Sequence, residues 1–274
     1  MISKQAEYLF NKKIILNNLS RRITLSNKII LCTDYDGTLV KIKKTPSLAI
    51  LSKPRFELLK RLADNSNINL VIVSGRSHNS LNSLVPIKNV TIISNHGFRI
   101  SSAQFNWIHP GVSKIFNTMR RVYPILKCEL NIFEGVFVED KEITLTLHYR
   151  NVNSNLIRGI KTKVNEIIKQ YSKNLKITTG KKILEIRPDI AWNKGLAVNK
   201  FLAGNQLEKD KNLIIYIGDD KTDEDAFGIL HDKALTIKVG KSKNTSAGYY
   251  LLNVNDVYKL LKLMETIRNN GIRK

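Results

Sequence analysis

Cysteine is scarce in this chain: Cys32 and Cys128 are the only two. Neither lies in a C-x-x-C pair and no His cluster flanks them, which argues against a zinc site. Cys32 follows the apolar run Ile29-Ile30-Leu31, where a small buried thiol is the usual case, and a reducing cytosol fits. Long apolar runs are missing too. No stretch approaches the roughly 18–20 residues of a membrane span. Residues 1–10 lack a continuous apolar segment, and Lys12-Lys13 breaks up the residues after them, so no export signal is read. The expectation is a soluble, cytoplasmic protein without a membrane partner. Six prolines and 14 glycines, without a period, exclude collagen-like and low-complexity chains. There is no internal repeat.

Negative charge is also in short supply. The 274 residues hold 23 Asp+Glu against 45 Lys+Arg, a formal net charge of +22. Such an excess first suggests a polyanionic partner. The basic clusters, Arg21-Arg22 and Lys43-Lys44 among them, are scattered and form no single stripe. No helix-turn-helix, RRM signature or aromatic-laced basic segment accompanies them, so no nucleic-acid partner is expected and the charge reads as a solvated surface.

What is present is ordinary core material, 42% hydrophobic, arranged in an informative order. Short apolar runs at 28–33, 68–73, 90–94, 212–217 and 235–239 do not alternate, and each is followed at once by polar or glycine residues. Strands buried on both faces look like this, which predicts a parallel sheet covered by helices. Residues 54–63 carry Phe56, Leu58, Leu59 and Leu62 at helical spacing. In open α/β sheets ligands bind at the carboxyl ends of the strands, so Asp34, Ser74, Asn95 and Asp219 are expected on one rim. The middle of the chain differs. Residues 142–150 alternate, with Ile143, Leu145, Leu147 and Tyr149 on one face, as in an antiparallel strand with one buried face. Segments 112–126 and 154–171 look helical, and 182–187 alternate again. The expected fold class is α/β, a Rossmann-like core of residues 1–104 and 189–274 interrupted by an α+β cap at 105–188, placed to act as a lid.

The chemistry sits at the strand ends. Asp34-Tyr35-Asp36-Gly37-Thr38 puts two carboxylates at the end of a buried strand, which is costly unless a cation or substrate compensates them. Gly218-Asp219-Asp220-Lys221-Thr222-Asp223 forms a second acidic cluster. An acidic helix start accounts for part of it, but not for carboxylates directly at a strand end. Together they make a hard-oxygen site of the type that suits Mg2+. Ser74-Gly75 offers a hydroxyl and backbone N–H groups suited to phosphate, and Lys194-Gly195 a compact positive charge. A carboxylate, a metal, an anion cradle and a lysine form a constellation for phosphoryl transfer. No P-loop or kinase signature is present.

The set Asp34-Tyr35-Asp36-Gly37-Thr38, Ser74-Gly75-Arg76, Lys194-Gly195 and Gly218 to Asp223 resembles the four motifs of the haloacid dehalogenase (HAD) superfamily. Val138-Glu139-Asp140-Lys141 with Leu147-His148-Tyr149-Arg150, and Leu184-Glu185-Ile186-Arg187-Pro188, resemble the lid segments of its trehalose-6-phosphate phosphatases. The resemblance runs from about residue 28 to about residue 262. It implies a Mg2+-dependent phosphatase working through an aspartyl-phosphate. Asp34 would be the nucleophile and Asp36 the general acid and base. The metal would be held by Asp34, Asp219 and the main-chain carbonyl of Asp36, with Asp220 and Asp223 supporting from behind through hydrogen bonds or water. Ser74, Gly75 and Lys194 would grip the phosphoryl group, and Glu139, Lys141, Arg150, Glu185 and Arg187 the sugar. One departure stands out: after Asn95-His96-Gly97 the family often carries an acidic residue, and here the position is Arg99. Related enzymes acting on sucrose-6-phosphate, mannosyl-3-phosphoglycerate or glucosylglycerol-phosphate would share the core motifs. A non-catalytic nucleic-acid-binding or regulatory protein is the alternative of another class. The resemblance leaves association with a separate trehalose-6-phosphate synthase open.

Overall fold

The computed structural model describes residues 6–171, 173–180, 182–207 and 211–271. Elements follow in chain order: β1 (Glu7–Tyr8), α1 (Lys13–Leu25), β2 (Ile29–Thr33), α2 (Lys53–Asp64), β3 (Ile68–Val73), α3 (His78–Leu84), β4 (Thr91–Ser94), β5 (Arg99–Ser101) and β6 (Asn106–Ile108). Then come α4 (Ser113–Leu130), β7 (Phe137–Asp140), β8 (Leu145–His148), α5 (Ile157–Lys169), β9 (Leu175–Gly180) and β10 (Ile183–Pro188). The chain ends through α6 (Lys194–Gly204), β11 (Leu213–Gly218), α7 (Lys221–Leu230), β12 (Ala234–Val239), β13 (Tyr249–Leu251) and α8 (Val254–Gly271).

Two compact units result, one of Met1–Trp107 with Trp192–Lys274, the other of Ile108–Ala191. The division falls at 107 and 191, beside the cap expected at 105–188, and β6 stands at the edge of the first unit's sheet.

The first unit is built on a sheet of order β1-β13-β12-β11-β2-β3-β4-β5-β6. Strands β12, β11, β2, β3 and β4 are mutually parallel, and β5 turns back antiparallel on β4. This is the α/β architecture expected. All five residues of β2 are buried. Ile29 and Leu31 face a core that includes Leu19 and Ile23 of α1, Leu58, Leu59 and Leu62 of α2 and Val257, Leu260 and Leu261 of α8. Ile30 and Cys32 face Ala197, Val198 and Phe201 of α6 and Ala226 and Phe227 of α7. A strand that must be apolar on both faces cannot alternate.

The second unit carries a sheet of order β7-β8-β10-β9, antiparallel throughout. Its apolar face, with Val138, Leu145, Leu147, Leu184 and Ile186, packs on Met119, Val122 and Leu126 of α4 and Ile160 and Val164 of α5. Two expectations are corrected. The alternating segment 142–150 is no single strand: Glu142 takes φ +71 in a turn between β7 and β8, and β8 ends at His148, with one further bond from the Tyr149 N–H to the Lys182 carbonyl at 3.2 Å. The face opposite the apolar one is not open either, since Thr144 and Thr146 are buried. Residue 181 lies outside the described residues, so the β9–β10 turn is described only at its flanks.

Candidate active site

The carboxyl ends of β11, β2, β3 and β4 are neighbours in the sheet, so the residues just beyond them meet. Asp34 leaves β2 with its N–H still donating to the Ile217 carbonyl of β11 at 2.8 Å, and its side chain is buried. Asn193 caps α6 by accepting from the Leu196 N–H at 3.0 Å. That cap places Lys194 at the first helical position, where its ammonium donates to Asp34 Oδ1 at 2.8 Å and to Asp223 Oδ1 at 2.9 Å.

Asp223 is saturated with donors. Its Oδ1 also accepts from the Tyr216 hydroxyl at 2.9 Å, and its Oδ2 from the N–H groups of Asp219 and Asp220 at 3.0 and 3.1 Å. Asp220 returns the favour by capping α7: its Oδ1 accepts from the N–H groups of Thr222 and Asp223 at 2.8 and 3.1 Å. This reciprocal box satisfies helix-terminal donors that would otherwise lack partners. One acidic residue of the cluster thus builds the helix start and another holds the loop and the lysine. The main chain of Asp219 is fixed in turn by Lys238, whose ammonium donates to its carbonyl at 2.8 Å.

The charges at this rim oppose one another strongly. Burial raises the Asp34 carboxyl well above its usual range against the pull of Lys194, and the carboxylates of Asp223 and Asp219 add to the rise. Burial, reinforced by Asp223 and Asp220, pushes Asp219 up to about 7. Burial works against the charge on Asp220 as well, but Lys194 and the hydrogen bonds of Thr222 and Asp223 hold that carboxyl below its ordinary value. Burial disfavours the Lys194 ammonium, yet the coulombic pull of Asp223 and Asp34 keeps its pKa well above normal.

Asp34, Asp219 and Asp223 each offer a carboxylate oxygen within 4.8 Å of the others. Asp223 has its oxygens filled by hydrogen bonds, so Asp34 and Asp219 are the carboxylates left for a small divalent cation, and burial that opposes their charge fits one there. Gly37 makes the approach of the two loops feasible. It has φ +84, and a Cβ there would lie 2.0 Å from Asp219 Oδ2.

Ser74 and Gly75 open the turn after β3. Ser74 is buried, donates its N–H to Ile93 and accepts the Arg76 N–H on Oγ at 3.2 Å. A Cβ on Gly75 would lie 2.4 Å from the His96 ring. Asn95 and His96, after β4, both adopt left-handed φ, +50 and +55, a costly conformation for residues other than glycine. Arg76 carries no role in the sequence reading, although it stands in the quoted motif. In the structure it is buried and grips the Asp36 carboxylate, Nε to Oδ2 at 2.5 Å and Nη2 to Oδ1 at 2.7 Å. The side chain of Asp36 is therefore turned to an arginine, and only its main chain is left for the expected metal contact. The signal for Arg76 was the cation at a strand end beside an anion cradle.

In the second unit Glu139, Thr146 and Glu185 stand side by side across β7, β8 and β10. Glu139 Oε2 pairs with His148 Nε2 at 2.8 Å, and Lys141 with Glu185 at 3.6 Å. Lys141, Glu185 and Arg187 are all buried. Arg150, expected in the strand, lies beyond β8 in an exposed turn.

The family model of trehalose-phosphatase matches residues 32–255. Trehalose-phosphate phosphatase B of Arabidopsis thaliana is 34% identical over 249 residues, which cover 86% of this chain and 66% of that protein. The chain thus spans about two thirds of this relative's length. A crystal structure described as a trehalose-6-phosphate phosphatase related protein superposes with a TM-score of 0.77 at 25% identity, over 88% of this chain and 99% of that one. A haloacid dehalogenase-like hydrolase from Bacteroides thetaiotaomicron shares the fold with a TM-score of 0.61 at 16% identity, over 88% of this chain and 99% of its own.

Proposed function

The chain belongs to the trehalose-phosphatase family of phosphoric monoester hydrolases, and on that premise we propose that it hydrolyses trehalose 6-phosphate to trehalose and phosphate. The unit of 1–107 and 192–274 is read as the catalytic core and 108–191 as the cap that reads the sugar. The observation that carries this reading is the Lys194 ammonium set between two buried carboxylates, Asp34 and Asp223, at the end of β2, whose sheet neighbour β3 leads into the Ser74-Gly75 turn.

In this reading an Asp34 oxygen attacks phosphorus and the bond from phosphorus to the sugar's 6-oxygen breaks. That oxygen takes a proton from Asp36. Water then attacks the phosphorus of the aspartyl-phosphate, its proton passes to Asp36, and phosphate leaves with the Asp34 carboxylate restored. Ser74, the N–H groups of the turn at Gly75 and Lys194 hold the phosphoryl oxygens. Asp34, Asp219 and the Asp36 carbonyl would hold Mg2+, which when bound neutralises phosphate charge so that an anion can approach an anion. Asp220 and Asp223 keep the loop and Lys194 in place.

Glu139, Lys141, Arg150, Glu185 and Arg187 are the proposed sugar contacts, supported by the polar face that four of them line on the second sheet. Among the described residues no helix is long and apolar enough to cross a membrane. The unpaired thiols of Cys32 and Cys128 suit a reducing compartment, and a cytoplasmic location is proposed on that ground. The test is phosphate release across a panel of sugar phosphates with and without EDTA. The reading expects trehalose 6-phosphate to be preferred and EDTA to abolish release. Preference for sucrose 6-phosphate or another member of the panel overturns the substrate assignment.

A further inference from the structure

The Asp36 side chain is 38% exposed, whereas the Arg76 side chain that holds it is 9% exposed. The arginine is the fixed partner of the pair. Besides its two bonds to the carboxylate, Nη2 donates to the Pro46 carbonyl at 2.9 Å. Nη1 reaches Ser80 Oγ at 3.5 Å, and the guanidinium carbon stands 5.2 Å from the centre of the Tyr35 ring. The backbone is pinned as well, with the Arg76 N–H on Ser74 Oγ and the Arg76 carbonyl accepting from the Asn95 N–H at 2.8 Å. A planar guanidinium with donors in a rigid fork, held from several sides, leaves a bidentate carboxylate one orientation.

We propose that Arg76 is the positioning residue for Asp36: the fork fixes the plane of the carboxyl and takes one site on each oxygen, so that the proton given to the oxygen that leaves phosphorus sits on a site outside the fork, and Pro46 ties that aim to the β2–α2 loop. The proposal rests on the phosphatase reading above and adds to it a residue that touches neither phosphate nor metal. An exposed ion pair contributes little by itself. Here the guanidinium is buried, and lysine, a point charge on a flexible stem, cannot reproduce the fork.

The experiment measures kcat/KM for a series of aryl phosphates graded by leaving-group acidity, on wild type, Arg76→Lys, Arg76→Met, Asp36→Asn and the double variant Asp36→Asn/Arg76→Lys. Proton donation matters most for poorly acidic leaving groups. Misaiming Asp36 therefore costs the poorest of them about 100-fold, the low end of general-acid effects, and the best of them almost nothing. The dependence of log(kcat/KM) on leaving-group pKa steepens in both Arg76 variants towards that of Asp36→Asn, and the double variant is no slower than Asp36→Asn alone. The slope does not depend on the fraction of folded enzyme, so loss of stability cannot imitate the result. An unchanged slope in Arg76→Lys and Arg76→Met, or multiplied losses in the double variant, overturns the positioning role and leaves the phosphatase reading standing. A wild type inert toward the whole series and toward trehalose 6-phosphate overturns both.

Discussion

Gly37 and Asp219, from loops 182 positions apart, approach so closely that a methyl group on the glycine would lie 2.0 Å from the aspartate's Oδ2. The glycine also has φ +84, where an alanine costs on the order of 1–2 kcal/mol. Gly37→Ala is expected to displace the Asp219 carboxylate, weaken Mg2+ binding and lower turnover at least tenfold. Gly228→Ala in α7, where an added Cβ meets nothing within 4 Å, is the control and is expected to be stabilising by about 0.5–1 kcal/mol. Mg2+ titrations of activity and thermal melts of both variants check this.

Lys194 bridges two carboxylates out of contact with water. Its side chain is 2% exposed, Asp34's 6% and Asp223's 0%. Lys194→Met leaves both without their shared cation, and breaking a buried pair by removing one partner costs about 3–5 kcal/mol. Denaturant unfolding of the metal-free protein measures the loss. Asp223→Asn added to Lys194→Met is expected to return part of it, because one of the stranded charges is gone.

The raised carboxyl of Asp219, about 7 through burial and then Asp223 and Asp220, sets a pH dependence. The folded protein keeps a proton there that the unfolded chain releases near its ordinary value of about 4. The stabilisation is therefore complete below about 4 and disappears as pH rises through about 7. A divalent cation competes with that proton. Mg2+ is expected to raise the melting temperature more at about pH 8 than at about pH 6, and this difference is expected to shrink in Asp219→Asn, where of the two carboxylates only the raised one of Asp34 is left to compete.

How much of the molecule could be read from residues alone depends on where the signals are local. The buried runs around Asp34, Ser74 and Asp219 announce parallel strands because two-sided burial demands continuous apolar side chains, and sheet order then brings their ends together. The three-residue β5, β6 and β13 are too short to carry a period, and α1 and α8 join the core only through tertiary packing. At the site, residue types and spacing pointed to Asp34 and Lys194. The side-chain partners of Asp36 and Asp223 were not legible, since Arg76 reaches Asp36 from the turn after β3, 40 positions on, and Tyr216 reaches Asp223 from inside the apolar run of β11, where it reads as core. Alternation placed Leu145 and Leu147 on the buried face correctly. It did not locate the turn at Glu142, whose positive φ leaves no periodic trace, and it continued through Arg150 although β8 ends at His148.

The polar face of the second sheet yields its own prediction. Glu139 and Glu185 flank Thr146 in register, and Glu185 is buried with Lys141. Glu139→Ala is expected to lower kcat/KM for trehalose 6-phosphate at least tenfold while changing that for a small phosphate ester far less. Equal losses on the two substrates, measured side by side, would mean that this face does not read the sugar.

The central claim is that Asp34 carries the phosphoryl group. Acid-quenched turnover of trehalose 6-phosphate, followed by peptide mass spectrometry, tests it most directly. The predicted result is the mass of one phosphoryl group on the peptide containing Asp34 in the wild type, increased in abundance when Asp36 is replaced by Asn and absent when Asp34 is. Full turnover by Asp34→Asn, or a phosphoryl group found on a different residue, would contradict the account.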